Sequence, residues 1–564
     1  MRARRVVVIA VVACAALGGS SCGKKKSDDG DPAGSGSSSS SSDKPRRKHA
    51  KLGGKGSRGE FSPSVQGFKF ANYGNEDRVE NLTVVEMRRL FGDDVCAYIE
   101  DGECALTPAA EQWMEQANDG MDGGHCEGFA ALSLLFRVGV LSPKRFGADR
   151  VHDLELEGNA KLQREIAYWM ATQYASPMSE AEVSLTPSEL VDRLAASFES
   201  GDDSWTLGMY FPDGSEGHAT TPYAVVEHSD TEAWILHYDS NFPGEERKIV
   251  VDRKANKWTY FTSADPNEEG SVYEGDAKTK SLTITPTSAR MKKLECPFCG
   301  DIDEDSDGEE SEESETGRAK KKQGMRMITL DGGADLMITD ESGKRIGHAN
   351  GALVNEIPGA KVVVPRGAKK GLRAHEPVYY VPGGKKLRAT IDGTVLKKQE
   401  QTDVALIAPG YTMGVYGIEL EPGEKDQIEF SADWRRLTYT TQTAATPNLE
   451  IGISTAAADY EFDINASSES TGVRVDVALD AKAGTITVNA VAKDGSAEYE
   501  IEIRRLASDT RTQVFKHKGI TARPKDRFVF HYKAWKGNSH KLHVDVDHDG
   551  DGTSDETEEL DDED

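Results

Sequence analysis

Hydrophobic and polar positions follow a helical pattern in the first part of this chain and a strand pattern later. Between residues 61 and 200 the pattern predicts helices at 108–117, 126–138 and 187–198. After residue 220 it changes to short alternating stretches, which predict strands at 223–227, 233–238, 248–252 and 258–261. Helices followed by strands favour an α+β domain, which we assign to residues 61–300.

Two of the predicted helices carry further signals. The helix at 126–138 is apolar on nearly every side, and such a helix is expected to be buried. The helix at 187–198 has Thr186 at its N-cap position and Glu189 three residues later, which is the spacing of a capping box. Pro187 suits the first helical position, so the start of this helix is well defined.

Residues 324–540 have a different character, because short alternating stretches are separated there by clusters of Gly, Pro, Asn and Asp. Helical periodicity is absent from this part of the sequence. The pattern predicts strands at 361–364, 378–381, 427–430, 472–479, 485–491, 499–504 and 527–532. Many short strands are typical of a β-sandwich, so we predict an all-β, sandwich-like region of one or two domains.

The net charge of −28 is concentrated in two short tracts. Residues 301–316 contain ten acidic residues and no Lys or Arg, and residues 541–564 contain twelve acidic residues and one Lys. The rest of the chain is therefore only mildly acidic. We interpret residues 301–323 as a low-complexity linker and residues 541–564 as an acidic tail. The sequence has no basic stripe, which argues against nucleic-acid binding.

The N-terminus has the layout of a secretory signal. Arg2, Arg4 and Arg5 precede an apolar run over residues 6–19, and small residues follow up to Cys22. As a helix this run would span roughly 21 Å, which is short of the ~30 Å hydrocarbon core of a membrane. We therefore predict a signal peptide at residues 1–21, with export of the chain.

Residues 19–22, Gly-Ser-Ser-Cys, resemble a bacterial lipobox, in which the Cys receives a lipid and the signal is removed. The resemblance implies a lipid on Cys22 that attaches the chain to a bacterial membrane, at the outer membrane, the cell surface or the periplasm. Cys14 is a second candidate with a shorter apolar run before it, and secretion without a lipid is the alternative. Residues 22–60 are rich in Lys, Ser, Gly and Asp, which predicts a flexible tether.

The remaining cysteines suggest two disulfides and one thiol, since an exported chain reaches an oxidising compartment. Cys96 and Cys104 flank a short loop that a disulfide would close. Cys296 and Cys299 are separated by Pro-Phe, and we favour a disulfide there over half a zinc knuckle or a redox pair. Cys126 is then the odd thiol, and an odd thiol in an exported protein needs a specific role.

The residues around Cys126 point to that role. Cys126 follows Gly123-Gly124-His125 and opens the predicted buried helix. A helix N-terminus favours negative charge, and the thiolate is the nucleophilic form of cysteine. Glycines let a substrate backbone approach and leave amide N–H groups available for an oxyanion. We predict that Cys126 is a nucleophile, which then requires a base and a residue that orients the base.

Candidates for both lie on a predicted hairpin. His218 begins an apolar strand, and the return strand ends at residues 239–241. If residues 229–230 form a two-residue loop, Asn241 faces His218 and Asp239 is a diagonal neighbour on the same face. Either side chain is placed to orient the imidazole, so the spacing leaves Asp239 and Asn241 as alternatives.

The order of these residues resembles a known superfamily. The segments Gly-His-Cys-Glu-Gly-Phe-Ala, Gly-His and Tyr-Asp-Ser-Asn-Phe-Pro-Gly are similar to the papain-like cysteine peptidases and transglutaminase-like proteins over residues 61–300. The resemblance implies a papain-like α+β fold with Cys126 as nucleophile, His218 as base and Asp239, or else Asn241, as the orienting residue. Papain-like enzymes place an oxyanion Gln a few residues before the Cys, whereas the nearest one here is Gln116, ten residues away.

The resemblance also implies a function. It indicates a lipid-anchored cysteine peptidase-like hydrolase that cleaves amide bonds through a thioester. Its partners would be the membrane and a peptide or protein substrate, with cell-wall peptides among the candidates. A transglutaminase-like acyl transferase uses the same residues, and a catalytically inactive surface binding or adhesion protein is the third alternative.

The acidic C-terminus has the spacing of a calcium-binding loop. Carboxylates at positions 1, 3, 5, 9 and 12, with Gly552 at position 6, match an EF-hand-type loop, and Ca²⁺ prefers such hard oxygen ligands. The stretch resembles dockerin and thrombospondin type 3 repeats, which implies a structural Ca²⁺ bound by Asp547, Asp549, Asp551, Thr553, Asp555 and Glu558. A frame two residues earlier, from Asp545 to Glu556, and a disordered acidic tail are the alternatives.

Overall fold

The computed structural model describes the chain from residue 55 to residue 563 with several gaps. The described residues are 55–59, 61–75, 78–262, 272–302, 324–349, 351–367, 376–443, 447–467, 472–491, 496–535, 537 and 539–563. The predicted signal peptide, Cys22, and most of the predicted tether and linker lie outside these residues. Within the described ranges, none of the helices combines the length and the apolar character that crossing a membrane requires.

The α-helices of the described residues lie in the first region, where the hydrophobic pattern predicts them. In chain order they are α1 (Pro63–Gln66), α2 (Val84–Phe91), α3 (Pro108–Asp119), α4 (Cys126–Arg137), α5 (Ala160–Ala171), α6 (Met178–Ala181), α7 (Pro187–Ser200) and α8 (Thr287–Arg290). The three predicted helices are α3, α4 and α7. Helix α4 packs against α5 and against the sheet of the first region, which explains why it is apolar on nearly all sides.

Capping boxes define where α7 and α2 begin. The Thr186 side chain accepts the N–H of Glu189, and the Glu189 carboxylate accepts the N–H of Thr186, as predicted. Thr83 and Glu86 form an equivalent box at the start of α2. The sequence carries this second signal as Thr-Val-Val-Glu, although the hydrophobic pattern alone does not predict α2.

The strands of the first region form one nine-stranded antiparallel sheet and a separate hairpin, β2–β3. In chain order they are β1 (Lys55–Arg58), β2 (Cys96–Glu100), β3 (Glu103–Leu106), β4 (Val183–Ser184), β5 (Trp205–Tyr210), β6 (Gly217–Glu227), β7 (Glu232–Tyr238), β8 (Arg247–Asp252), β9 (Lys257–Phe261), β10 (Val272–Asp276) and β11 (Leu282–Pro286). The order in the sheet is β10-β9-β8-β7-β6-β5-β11-β4, and β1 also pairs with β6. The four predicted strands are β6 to β9, and β6 begins at Gly217, so it includes His218 as the hairpin prediction requires.

The second region is built of antiparallel strands, as predicted. They are β12 (Met325–Asp331), β13 (Asp335–Asp340), β14 (Arg345–Ala349), β15 (Ala352–Asn355), β16 (Lys361–Val363), β17 (Val378–Pro382), β18 (Leu387–Asp392), β19 (Glu400–Ala408), β20 (Tyr411–Leu420), β21 (Lys425–Phe430), β22 (Arg436–Thr440), β23 (Asn448–Ser454), β24 (Asp459–Ser467), β25 (Arg474–Asp480), β26 (Thr485–Val491), β27 (Ala497–Ala507), β28 (Arg511–Ala522), β29 (Arg527–Phe530), β30 (Lys541–Asp547) and β31 (Glu556–Asp561).

These strands form two sheets around one apolar core. The nine-stranded sheet has the order β16-β17-β12-β19-β20-β23-β24-β27-β28, and the eleven-stranded sheet has the order β15-β14-β13-β18-β21-β22-β25-β26-β29-β30-β31. Alternate residues of both sheets point inward and are buried, among them Ile328, Leu406, Ile428, Phe462 and Val488. The core contains residues from β12 to β31, so the two sheets pack face to face along the whole second region.

A second apolar cluster joins the two regions. Trp113 of α3 and Phe298 pack in it together with Met327, Tyr380 and Ile407, which belong to the second region. Helix α3 therefore lies on the nine-stranded sheet of the second region. Burial of large apolar side chains on both sides of this contact stabilises the packing of the two regions.

Two segments that the sequence assigns to polar extensions form strands. Strand β1 lies in the predicted tether at residues 22–60, and it pairs with β6. Strands β30 and β31 lie in the predicted acidic tail at residues 541–564 and extend the eleven-stranded sheet. Strand β30 forms because Leu542 and Val544 alternate with polar residues and point into the core. The acidic composition hides this alternation when charge is read alone.

Asp459, at the start of β24, is a buried carboxyl whose ionised form the fold disfavours. Burial, together with the negative charge of Asp301, raises the pKa of Asp459 from 3.8 to about 7. The unfolded chain releases this proton at a lower pH than the folded chain does. The free energy of unfolding therefore falls as the pH rises from about 4 to about 7.

We expect Asp459→Asn to remove this pH-dependent loss of stability. The free energy of unfolding of the variant, compared with that of wild type, should increase by on the order of 2 kcal/mol more at pH 8 than at pH 5. Thermal unfolding of both chains at the two pH values measures the difference. Asp480→Asn, at the exposed end of β25, is the matched control and should not change the pH dependence. An equal gain for Asp459→Asn at both pH values would contradict the assignment.

Candidate active site

Cys126 is the first residue of α4, as predicted, and it is 0% exposed. The backbone just before it is closely approached by other segments. Gly124 has a φ of 124°, which glycine tolerates best. A Cβ at Gly124 would lie 2.6 Å from Nδ2 of Asn72 and would overlap the carbonyl oxygen of Gly367. Gly124 is therefore a point where other segments of the chain approach the backbone closely.

His218 and Asp239 extend from Cys126 in a continuous series of contacts. Nδ1 of His218 lies 3.0 Å from Sγ of Cys126, and Nε2 lies 3.0 Å from Oδ1 of Asp239. The Tyr260 hydroxyl donates to Oδ2 of Asp239 at 2.5 Å. The structure thus brings together the three residues that the sequence proposes, in the order that a cysteine nucleophile requires.

Charges within this series control its protonation. Burial lowers the pKa of His218, but the charges of Asp239 and Cys126 outweigh that effect and hold the pKa well above its usual value. Burial raises the pKa of Asp239, yet the combined opposing effects of His218, His237 and the Tyr260 hydrogen bond are larger, and the pKa lies below its usual range. Burial lowers the pKa of the neighbouring His237 to about 3, which keeps it neutral. These charges favour the protonated, cationic form of His218.

Asn241, the alternative orienting residue, contacts a different group. Its side-chain Oδ1 accepts a hydrogen bond from Nδ2 of Asn72 at 3.2 Å. Its backbone N–H donates to Oδ1 of Asp239 at 2.8 Å. Asp239 is therefore the side chain beside the imidazole, and Asn241 helps to hold that carboxylate in place.

The hairpin reaches this arrangement by a route that differs from the prediction. The loop between paired residues spans 228–232 instead of two residues. A bulge between Pro222 and Ala224 then shifts the pairing by one residue, and Thr221 pairs with Tyr238. The longer loop and the bulge offset each other. The predicted frame is consequently wrong at the turn and holds at the end of the hairpin that carries the site.

Asn72 is a site residue that the sequence patterns do not reveal. Its Nδ2 donates to Sγ of Cys126 at 3.0 Å. Its Oδ1 accepts the backbone N–H of His125 at 2.7 Å, which fixes the amide so that the NH₂ group faces the thiol. An amide donor beside the nucleophile is suited to stabilise negative charge on a carbonyl oxygen.

The distance along the chain explains why Asn72 is missed. It lies 54 residues before Cys126, and its backbone N–H donates to the carbonyl of Ser240 at 2.9 Å. Gln116, the nearest Gln before the Cys, instead accepts a hydrogen bond from Thr329 of the second region at 2.8 Å. A donor supplied from a distant segment leaves no local motif in the sequence.

A segment of the second region covers the thiol. The carbonyl of Arg366 accepts the N–H of Glu127 at 3.0 Å, and the carbonyl of Gly367 accepts from Nδ2 of Asn72 at 3.5 Å. With this segment in place, none of the three residues of the contact series is more than 1% exposed. The covering segment lies about 240 residues from Cys126 along the chain, and no sequence motif marks it.

Below the thiol, Glu127 is the centre of a buried ionic cluster. Its carboxylate pairs with the guanidinium of Arg290 and lies 3.2 Å from Nε of Arg366. Arg366 also lies 3.3 Å from the carboxylate of Glu182. Burial lowers the pKa of Arg290, whereas the surrounding acidic groups more than offset burial at Arg366 and raise its pKa. The cluster explains the acidic residue in an otherwise apolar helix.

Both predicted disulfides are confirmed. Cys96 is bonded to Cys104, and Cys296 is bonded to Cys299. The second bond uses the sulfurs that half a zinc knuckle would have supplied, which leaves no thiolate there for a metal. Cys126 remains a thiol, as the assignment of the other cysteines predicts.

The predicted calcium loop connects β30 and β31, and it gathers some of its proposed ligands. Asp547, Asp549 and Asp551 place carboxylate oxygens within 4.8 Å of one another. Asp547 also accepts the N–H groups of Gly550 and Gly552, at 2.7 and 2.8 Å. Positions 1, 3 and 5 therefore converge as hard oxygen donors of the type that Ca²⁺ prefers.

Asp555 and Glu558, two of the later proposed ligands, do not belong to this group of converging carboxylates. Asp555 accepts the N–H of His548 at 2.9 Å, and the N–H of Thr553 donates to Asp551 at 2.7 Å. Glu558, the predicted ligand at position 12, lies within β31 opposite Val544. The loop is bounded by strands, so the helices that flank an EF-hand loop are replaced by a hairpin.

Comparisons with protein-family models, with curated proteins and with solved structures find no match to this chain. The site is therefore interpreted from its own contacts. A thiol at a helix N-terminus lies within hydrogen-bond distance of an imidazole and of an amide donor, and the imidazole lies within the same distance of a buried carboxylate. Together they form the set of groups that nucleophilic attack on a carbonyl requires.

The buried ionic cluster predicts a large stability effect at Glu127. Glu127→Ala should destabilise the protein by about 3–5 kcal/mol, because two buried guanidinium groups lose the carboxylate they share. Glu127→Gln keeps the volume and a hydrogen-bond acceptor, so its effect should be smaller. Thermal or urea unfolding measures both, and Glu157→Ala on an exposed loop is the control. A Glu127→Ala variant as stable as the control would show that the cluster is not needed.

Proposed function

We propose that this chain is a cysteine peptidase-like hydrolase whose papain-like α+β domain occupies residues 61–300. The observation that supports it is the series of 3.0 Å contacts from Cys126 through His218 to Asp239. A buried thiol or a buried imidazole alone is ordinarily structural. Their combination with a perturbed histidine pKa and an amide donor favours nucleophilic catalysis.

The reaction begins with acyl transfer from an amide to Cys126. The sulfur bonds to the carbonyl carbon, and the negative charge that develops on the oxygen is stabilised by Nδ2 of Asn72. His218 gives its proton to the nitrogen as the carbon–nitrogen bond breaks, so the first product leaves as an amine. Asp239 keeps the imidazole oriented and stabilises its cationic form.

Water completes the cycle. Neutral His218 takes a proton from the water as its oxygen bonds to the thioester carbon. The carbon–sulfur bond then breaks, the carboxylic acid leaves, and the thiolate and imidazolium are restored. Transglutaminase-like transfer is the second candidate, with an amine in place of this water. The nearly complete burial of the site favours it, because exclusion of water protects a thioester from hydrolysis.

The setting of the reaction follows from the rest of the sequence. We infer export, a lipid on Cys22 and attachment to a bacterial membrane, with a peptide or protein, such as a cell-wall peptide, as substrate. A structural Ca²⁺ in the β30–β31 loop would be held by Asp547, Asp549 and Asp551, and it would reduce their mutual repulsion.

A peptide library tests the proposed activity. The full chain and its Arg366→Ala variant, which loosens the segment over the thiol, are incubated with the library, and new peptide termini are identified by mass spectrometry. We expect products with at least one of the two chains. Cys126→Ala introduced into either chain should abolish them, since no other group can form the thioester.

The same experiment separates the alternatives. With a primary amine present, transfer gives amine-linked products and hydrolysis gives new carboxyl termini. Ser133→Ala, in the same helix as Cys126, is the matched control and should retain the products. If no Cys126-dependent product appears in either background, the chain is a binding protein and the catalytic proposal fails.

Asp239→Asn should change the pH dependence of the activity. Loss of the carboxylate charge lowers the pKa of His218, so the proton needed by the leaving nitrogen is lost at a lower pH than in wild type. The alkaline limb of kcat/KM should move to lower pH, and the maximum should fall by about 10²–10⁴-fold. The best library substrate provides the assay, and Asp252→Asn at the end of β8 provides the control. An unchanged alkaline limb would exclude the assigned role.

A further inference from the structure

Residues 365–367 fill the space between the start of β6 and the start of α4, which we call the Cys126 cleft, and their backbone is hydrogen-bonded to the site. Arg366 pairs in parallel orientation with Gly217, which immediately precedes His218. Its carbonyl accepts an N–H from the first turn of α4 at 3.0 Å. The segment is thus held between the strand that carries the imidazole and the helix that carries the thiol, by backbone contacts that any extended peptide can make.

The carbonyl oxygen of Gly367 and the sulfur of Cys126 share one amide group, that of Asn72. The Gly367 oxygen lies 3.5 Å from Nδ2 of Asn72, and the same amide group lies 3.0 Å from Sγ of Cys126. This placement is the one that a peptide substrate would need.

The surroundings of Gly367 leave no space for a side chain. A Cβ at this position would come within 2.7 Å of the carbonyl oxygen of Gly124 and within 2.9 Å of Cε of Met170. Real Cβ atoms do not approach a carbonyl oxygen so closely, so a larger residue would displace the segment. The subsite nearest the thiol therefore fits glycine.

The preceding subsite fits a cation. The guanidinium of Arg366 lies 3.2 Å from Glu127 and 3.3 Å from Glu182, and it donates to Thr285 at 3.0 Å. Arg366 is 3% exposed, so its charge depends on these partners. Glu127 also pairs with Arg290. The Glu127 carboxylate therefore keeps one cationic partner when Arg366 leaves this subsite.

We propose that the Cys126 cleft recognises an extended peptide with arginine followed by glycine, and that Pro365–Gly367 is the chain's own occupant of that cleft. The inference rests on the proposed function, because it takes the cleft around Cys126 as the substrate site. It adds the substrate class, a cationic residue followed by glycine on the acyl side. It also adds a state in which the chain blocks its own nucleophile.

Alkylation of Cys126 in the full chain tests the occupancy. Iodoacetamide should label the wild-type thiol slowly, because the thiol becomes accessible only when the segment leaves. Arg366→Ala and Gly367→Ala should each raise the labelling rate by about tenfold or more. Arg388→Ala removes an arginine on the outer face of the second region, paired with Glu429, and should label as wild type does.

Two variants of the segment are used, and the folding of each is checked separately, so that the test does not depend on a single substitution. Each chain is first shown to melt cooperatively, and its labelling rate is compared with that of the urea-unfolded chain. If Arg366→Ala and Gly367→Ala both remain folded and label no faster than wild type, the segment does not block the thiol and the proposal is overturned.

Peptides added in trans test the recognition itself. In the Arg366→Ala chain, acetyl-Pro-Arg-Gly-amide at millimolar concentration should slow alkylation of Cys126 by several fold, about fivefold at a concentration four times the dissociation constant. Acetyl-Pro-Glu-Gly-amide is the control and should give no protection, because it would place a third carboxylate beside Glu127 and Glu182. Equal protection by both peptides, or protection by neither, would overturn the assigned specificity.

These measurements report thiol access and binding and do not depend on turnover. A chain that shows both effects but forms no Cys126-dependent product would retain the peptide-binding cleft and lose the proposed catalysis. A chain that forms products while the variants label as wild type does would retain catalysis and lose the blocked state. The two proposals can therefore fail separately.

Discussion

The carboxylate of Glu127 is the interaction on which the site and its surroundings depend. It pairs with Arg290 of α8 and with Arg366 of the second region, although it belongs to the first turn of α4. A charge at this depth is tolerated only when it is paired, because desolvation of an unpaired ion costs several kcal/mol. The start of α4, the end of the first region and one segment of the second region are therefore held at a common point.

Three consecutive residues at the start of α4 have three different roles in the site. The backbone of His125 orients the amide of Asn72, Cys126 presents its sulfur, and Glu127 holds the ionic cluster. A helix start allows this division because successive side chains there point in different directions around the axis. The residues on either side of Cys126 in the chain therefore connect the thiol to the Asn72 amide and to the ionic cluster of Glu127.

Local patterns in the sequence are sufficient for much of this arrangement. The glycine-rich entry to a buried helix identifies Cys126, and a strand pair identifies His218 and Asp239. The predicted pairing holds near His218 even though the loop is longer than assumed, because a bulge shifts the pairing back by one residue. Asn72 and Arg366 are missed because they reach the thiol from 54 residues before it and about 240 residues after it, through tertiary contacts that leave no periodic signal. The acidic C-terminus misleads for another reason, since its charge conceals the alternation of two strands.

Those two strands have a consequence for the behaviour of the molecule in solution. Strand β31 is the last in the described part of the eleven-stranded sheet, so one side of its backbone has no partner strand in that sheet. At its end, the carbonyl of Asp561 contacts Nδ1 of His517 in β28 at 2.8 Å. Unpaired strand edges invite pairing with a second copy and aggregation. Five of the six residues of β31 are exposed, and Glu556, Glu558 and Glu559 are among them. The negative charges of two such edges would repel each other at neutral pH. The acidic side chains of this terminal strand therefore disfavour edge-to-edge pairing between two copies of the chain.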